Sequence, residues 1–241
     1  TNKLNELPSL SAEELQQKSS DKYLSILQSN KILDPEFEDL KIGWSRSQNG
    51  MLYIACDTKM ENCSGKMLSW WFRFCDNTTK YKWWHPIDHL EGTWTKEYLE
   101  VAEKDRVDGH HIGQSHIVKE KINGKASDLK IDFKPSSHYF DTTLFEGANV
   151  TALVCARINV LDWMVGEAAI GHLSHLIIEN GEDGGCLMKS RFWIGDIAKD
   201  DCNFLTKFIV KNVANSKAVR NIRMPASLAT GILKHCREEM S

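Results

Sequence analysis

"SHIVKEKINGKASDLKIDFK", residues 115–134, decides how this chain folds. Asn123-Gly124 is a dipeptide suited to the two left-handed positions of a tight hairpin turn. The runs on either side, "SHIVKEKI" (115–122) and "LKIDFK" (129–134), alternate apolar and polar residues. Together they predict a β-hairpin, and so an antiparallel sheet. In the first arm His116 and Glu120 lie four apart, which on a strand puts both on one face.

The same grammar continues outward. "NVTALVCARINV" (149–160) reads as a strand, and "GHLSHLIIEN" (171–180) and "GCLMKSRFWIGD" (185–196) flank the turn "GEDGG" as a second hairpin. Towards the N-terminus, "MLYIACDTKM" (51–60) and "LSWWFRFCD" (68–76) are rich in aromatic and β-branched residues and are expected to be strands. The two ends have a helical period. Residues 11–30, "SAEELQQKSSDKYLSILQSN", open with the capping box Ser11 to Glu14, and "DPEF" (34–37) is a turn. From Pro225 onward Leu228, Ile232, Leu233 and Cys236 recur at three- and four-residue steps. The order helix, antiparallel strands, C-terminal helix predicts an α+β fold, with residues 1–45 as an N-terminal helical attachment and 46–241 as the main domain.

Composition removes several classes of function. The 241 residues are 41% hydrophobic and 26% charged, with a net charge of −3, so no strong field draws the chain to nucleic acid or to an anionic membrane. No apolar run reaches the ~20 residues of a membrane span. "TNKLNELPSLSAEEL" (1–15) lacks the apolar region of a signal peptide. Seven cysteines at irregular spacing, with no C-x-x-C pair, exclude a zinc ribbon and read as reduced thiols, for which a cytoplasmic location is expected.

Chemistry concentrates in "YKWWHPIDHLEGTW" (81–94), where His85 and His89 lie four apart with Asp88 between them. Aromatic packing at a sheet edge accounts for Trp83 and for a His85 satisfied by backbone. Asp88-His89 fits that account less well, because carboxylates are seldom buried alone and a carboxylate beside a histidine also orients metal-bound imidazoles. Other groupings compete: His116 with Glu120, His172 and His175 before Glu179, and His235 with Glu239 on the last helix, where the bland reading is a solvated, charged tail. His110 and His111, in a Gly-flanked loop, are expected to be exposed. These residue types allow a metal site without selecting one.

Five segments in this order, "WWFRF" (70–74), "YKWWHPIDH" (81–89), "SHIVKE" (115–120), "KSRFWIGD" (189–196) and "LKHCREE" (233–239), resemble the 2,4-diacetylphloroglucinol hydrolase and phloretin hydrolase family. The resemblance spans roughly residues 40–240. It implies a helix-grip fold like that of the Bet v 1 pollen allergens, with a curved antiparallel sheet around a long C-terminal helix. It implies a zinc ion (Zn2+) on His89, on Glu120, 31 residues further on, and on His235 and Glu239. It implies hydrolysis of the carbon–carbon bond between an acyl group and a phloroglucinol ring, zinc providing the Lewis acid. Tyr81 matches a tyrosine that contacts a ring hydroxyl, Trp84 belongs to the apolar lining, and His175, with His172 as the alternative, is the candidate proton shuttle. Where the family carries a late tyrosine this chain reads "SRFW" (190–193). The implied partners are a small aromatic polyketide or dihydrochalcone substrate and a second copy of the chain in a homodimer. Two other readings are a non-catalytic carrier of hydrophobic ligands and a zinc hydrolase of esters or amides.

Overall fold

The computed structural model describes residues 19–20, 22–48, 51–122, 125–162, 166–180 and 185–195. Nine strands among them form one sheet: β1 (Ser19–Ser20), β2 (Ile42–Arg46), β3 (Leu52–Met60), β4 (His89–Trp94), β5 (Ser115–Ile122), β6 (Lys125–Lys134), β7 (Val150–Asp162), β8 (Gly166–Asn180) and β9 (Gly185–Ile194). Their order is β1-β2-β3-β9-β8-β7-β6-β5-β4, antiparallel except for the short β1–β2 pair. Both expected hairpins are present. β5 and β6 pair from Ser115↔Asp132 to Ile122↔Lys125, and β8 and β9 pair from Gly171↔Ile194 to Asn180↔Gly185. The sheet takes in β2 on the N-terminal side of residue 46.

Three α-helices interrupt the strands among the described residues: α1 (Gly65–Phe74), α2 (Thr78–Trp84) and the short α3 (Lys96–Leu99). Segment 68–76, expected as a strand, is thus mostly helix. Ser64 caps α1 by accepting from the Met67 N–H, and Leu68, Trp71 and Phe74 at three-residue steps give it one buried face. The β-propensity of its aromatic residues yields to that spacing and cap. "WWHP" is likewise the end of a helix beside β4, the terminal strand of the described sheet. Asn77 caps α2 through the Lys80 N–H, and Pro86 follows two residues after its last residue. Of the helix expected over 11–30, residues 22–25 are non-helical and Ile26–Leu33 is a 3₁₀ helix; residues 1–18 lie outside the described residues.

The two faces of the sheet carry separate cores. On the inner face, side chains such as Leu52, Ile54, Val118, Phe133 and Phe192 pack with Trp71 and Trp84 of α1 and α2. On the outer face Tyr53, Leu176 and Trp193 pack against Leu24, Ile32 and Leu33 of the N-terminal segment. Strand side chains alternate between the two, and burying each large apolar side chain contributes about 1.5–3 kcal/mol.

The outer face also buries an ion cluster. Arg191, 1% exposed, donates from Nε to Asp39 Oδ2 (2.8 Å) and sets a second nitrogen 2.8 Å from Asp57 Oδ1, while the Tyr53 hydroxyl donates to Asp39 Oδ1 (2.7 Å). These bonds tie the segment before β2 to β3 and β9.

Five described cysteines, Cys56, Cys63, Cys75, Cys155 and Cys186, are free and buried. His111 is buried between Phe72 and Phe133, ring centroids 5.1 and 5.2 Å away, not exposed as its loop position predicts. No helix of the described residues is long and apolar enough to cross a membrane. The helix expected from Pro225, with His235 and Glu239, lies outside the described residues.

Candidate active site

β4 is the last strand of the described sheet, and α2 packs beside it. In the β4–β5 ladder Trp94 opposes His116 and Gly92 opposes Val118, so these side chains or positions share the inner face. Strict alternation would send His89, three residues before Gly92, to the outer face. A register shift between His89 and Glu91 prevents that: Glu91 opposes Lys119, yet His89 opposes Glu120. The extra residue of this bulge returns His89 to the inner face, directly across from Glu120.

Tyr81 of α2 completes the group. Its ring lies flat on the His89 imidazole, centroids 3.9 Å apart and planes 8° apart. Its hydroxyl donates a short hydrogen bond to Glu120 Oε1. Its carbonyl faces His89 Nδ1 at 3.1 Å, so Nδ1–H is the donor and Nε2 keeps its lone pair. That Nε2 lies 3.7 Å from Glu120 Oε1. Asp88, expected to orient His89, instead turns to His85: its Oδ2 is 3.6 Å from His85 Nε2, and its N–H donates to His85 Nδ1 (3.1 Å). The Tyr81 carbonyl takes the orienting role.

Burial sets the protonation of the group. It pushes His89 down to about 3, so the imidazole is neutral at neutral pH and forms no ion pair with Glu120. It also raises the Glu120 carboxyl, against the lowering effect of the Tyr81 hydrogen bond. Tyr81 itself is raised well above the usual phenol range, first by burial and then by Glu120. His116, pushed by burial to about 3, stacks on Trp94 (4.5 Å) and meets the Tyr81 ring edge-on (4.9 Å), with Nε2 buried and unpartnered.

The residues at hand fit a zinc ion. A neutral imidazole nitrogen and a carboxylate oxygen face one another at 3.7 Å. Two tetrahedral ligands each ~2.0–2.1 Å from zinc would be separated by roughly 3.4 Å. The nitrogen on the far side of His89 is held by a backbone carbonyl, as metal-bound imidazoles are. No three His, Cys, Asp or Glu side chains among the described residues are placed to hold one metal ion, and the other two expected ligands, His235 and Glu239, lie outside them.

The two candidate shuttles part company. His175 projects to the inner face, buried against Trp84 (5.7 Å) and Phe192 (6.0 Å), its Nδ1 2.9 Å from Ser190 Oγ. Burial lowers it to about 4. His172, three residues earlier on the same strand, projects to the outer face, where the Tyr139 hydroxyl lies 2.9 Å from its Nδ1. Tyr81, Trp84, His89, Glu120 and His175 thus share one side of the sheet, and His172 does not. Sequence reasoning gave no role to Ser190, Gly92 or Thr78. Ser190 alone had a signal, as the residue of "KSRFW" that alternation places on His175's side.

The profile of the DAPG hydrolase PhiG domain family matches residues 24–241. A 2,4-diacetylphloroglucinol hydrolase of Pseudomonas sp is 25% identical over 173 residues, covering 71% of this chain and 58% of that protein. One from Pseudomonas protegens is 24% identical, covering 71% and 55%. A phloretin hydrolase of Eubacterium ramulus is 26% identical over 220 residues, covering 88% and 72%. The chain therefore spans little more than half the length of the two Pseudomonas relatives. Among solved structures, human STARD10 aligns with 98% of this chain and 85% of that one, at 9% identity and a TM-score of 0.43. The major latex-like protein 151 of Panax ginseng aligns with 73% and 99%, at 12% identity and a TM-score of 0.36.

Proposed function

The chain belongs to the DAPG hydrolase PhiG domain family, and on that premise we propose that it is a zinc-dependent hydrolase of acylphloroglucinols. The substrate is of the phloretin or diacetylphloroglucinol type, and the products are a carboxylic acid and the deacylated ring. The names of the three relatives described above support the class of substrate. The observation that carries the reading is the facing of His89 Nε2 and Glu120 Oε1 at 3.7 Å under a tyrosine bonded to the same carboxylate.

His89, Glu120, His235 and Glu239 are the proposed ligands. Zinc held there supplies Lewis acidity towards the acyl oxygen and towards water. The chain's own groups do the rest. The ring carbon bearing the acyl group takes a proton, water adds to the acyl carbon, and the bond between the two carbons breaks with its electron pair spread over the ring oxygens. Tyr81, whose one O–H is released from Glu120 when that carboxylate serves as a zinc ligand, is proposed to donate to a ring oxygen where that charge develops, which favours the transition state over the ground state. His175, neutral at neutral pH and fixed at Nδ1 by Ser190, is the proposed carrier of the ring proton. Trp84, against His175, forms part of the apolar wall. We place the protein in the cytoplasm as a homodimer formed through residues 1–45; a single-chain mass in sedimentation velocity overturns the dimer.

The test is to incubate zinc-loaded protein with phloretin and with 2,4-diacetylphloroglucinol and to separate the products. A deacylated phloroglucinol and the matching acid are expected from at least one. Fully loaded protein that leaves both substrates intact overturns the proposal.

A further inference from the structure

Tyr81 reaches Glu120 only if α2 stands at the right height and tilt against β4, and one contact sets both. As the terminal strand of the described sheet, β4 has no neighbouring strand among the described residues on one side. At Gly92 that open backbone edge is closed by a single side chain. The Gly92 N–H donates to Thr78 Oγ1 (3.1 Å), and the Thr78 hydroxyl donates to the Gly92 carbonyl (3.2 Å). Thr78 begins α2, and Tyr81 lies one turn later. The Tyr81 ring then rests on the same glycine. A Cβ there would stand 2.8 Å from both Cγ and Cδ1 of Tyr81 and 3.1 Å from His116 Nε2, closer than the ring tolerates. Gly92 is thus gripped by the first residue of the helix and overlain by the fourth.

We propose that Thr78 and Gly92 are positioning residues for Tyr81: the hydroxyl staple and the missing side chain together hold the tyrosine on His89 and aim its hydroxyl at Glu120. The consequence for turnover rests on the function proposed above; the consequence for the ring does not.

Thr78→Val keeps the β-branched shape and removes the staple, while Asn77 still caps the helix through the Lys80 N–H. Thr78→Ser keeps the hydroxyl. Gly92→Ala adds the clashing carbon. Two measurements decide. The first is the NMR spectrum of protein carrying ring-labelled tyrosine, which has five tyrosines; the Tyr81 signals are those lost in Tyr81→Phe. Thr78→Val and Gly92→Ala are expected to move the Tyr81 signals and leave those of Tyr53 and Tyr139, on the outer face, in place, with Thr78→Ser like the parent. The second is a kinetic cycle. Thr78→Val is expected to lower kcat roughly five- to fiftyfold with bound zinc unchanged, and to cost less than about twofold when Tyr81→Phe is already present. Tyr81 signals that stay put in both variants overturn the proposal, as does an undiminished kinetic loss in the Tyr81→Phe background. A parent protein inactive on both substrates defeats the functional reading alone, and the spectra still judge the positioning.

Discussion

The two faces of the sheet bury polar groups in opposite ways. On the outer face Arg191 is enclosed with Asp39 and Asp57, each charge answered by another. On the inner face His89, His116 and His175 are buried as neutral rings, and the raised carboxyl of Glu120 faces an uncharged imidazole, its burial offset in part by the Tyr81 hydroxyl and, less, by His85. A buried ion matched by counter-ions is architecture, and here it fastens the N-terminal segment. Buried titratable groups without a counter-ion are where a ligand's charge has a place to go. Alternation thus sorts the sheet's own buried polar side chains, while the ion pairs on the inner side, Arg106 and Lys80 with Asp76, come from the helices and the loop beside them.

Exchanging a residue on each face tests that division, beginning with the largest effect. His89→Ala is expected to lower kcat/KM by roughly ten-thousandfold or more and to abolish tight zinc binding, measured by elemental analysis. The fold should persist, since a neutral group is lost. Arg191→Met on the outer face should do the reverse. It leaves two buried carboxylates without the guanidinium that pairs them and is expected to cost about 3–5 kcal/mol in denaturant unfolding, with the turnover of the folded fraction unchanged. A large loss of turnover in the folded Arg191 variant breaks the comparison.

Tyr81→Phe removes only a hydroxyl. It is expected to lower kcat/KM roughly ten- to a thousandfold with zinc retained, as loss of a transition-state donor does. His111 sharpens the electrostatic half of the contrast. Its folded value is about 4 against about 6.5 for an unfolded histidine. Above pH 6.5 both states are neutral. Below it the unfolded chain takes the proton first, so stability falls with pH until about pH 4, by about 3 kcal/mol for this one group. His111→Phe, set between two phenylalanines, should remove this one group's share of the fall in stability measured by urea titration across that window, leaving the shares of His89, His116 and His175. The smallest effect belongs to the outer face: His172→Ala should change kcat/KM less than about threefold, while His175→Ala loses at least as much as Tyr81→Phe. An inactive His172 variant with an active His175 variant reverses the assignment of the shuttle.

The hairpins were legible because turn chemistry and alternation are local: Asn123-Gly124 and "GEDGG" speak for themselves. The strand parity that separates His172 from His175 was also legible, since residues three apart on a strand face opposite ways. Helix α1 was misread because its aromatic residues suit either structure, and the decision lies in the Ser64 cap and in packing against β7 and β8. The site was half legible. Tyr81, His89 and Glu120 stood out through the family resemblance, and the structure brings them together. What juxtaposes them, a bulge at His89–Glu91 and a glycine under a tyrosine ring, comes from non-local pairing for which the residues at 89–92 carry no mark.

The buried thiols turn the molecule into its own clock. Thiol reagents attack the thiolate, and burial pushes Cys186 up to about 12 and raises Cys75 and Cys155 well above the ordinary thiol range. None of the three is open to a reagent while its core is closed. The rate at which each is labelled therefore counts how often that part of the structure opens. Cys75 lies in the inner core and Cys155 in the outer one, so alkylation followed by mass spectrometry would time the breathing of each face separately, without adding a probe.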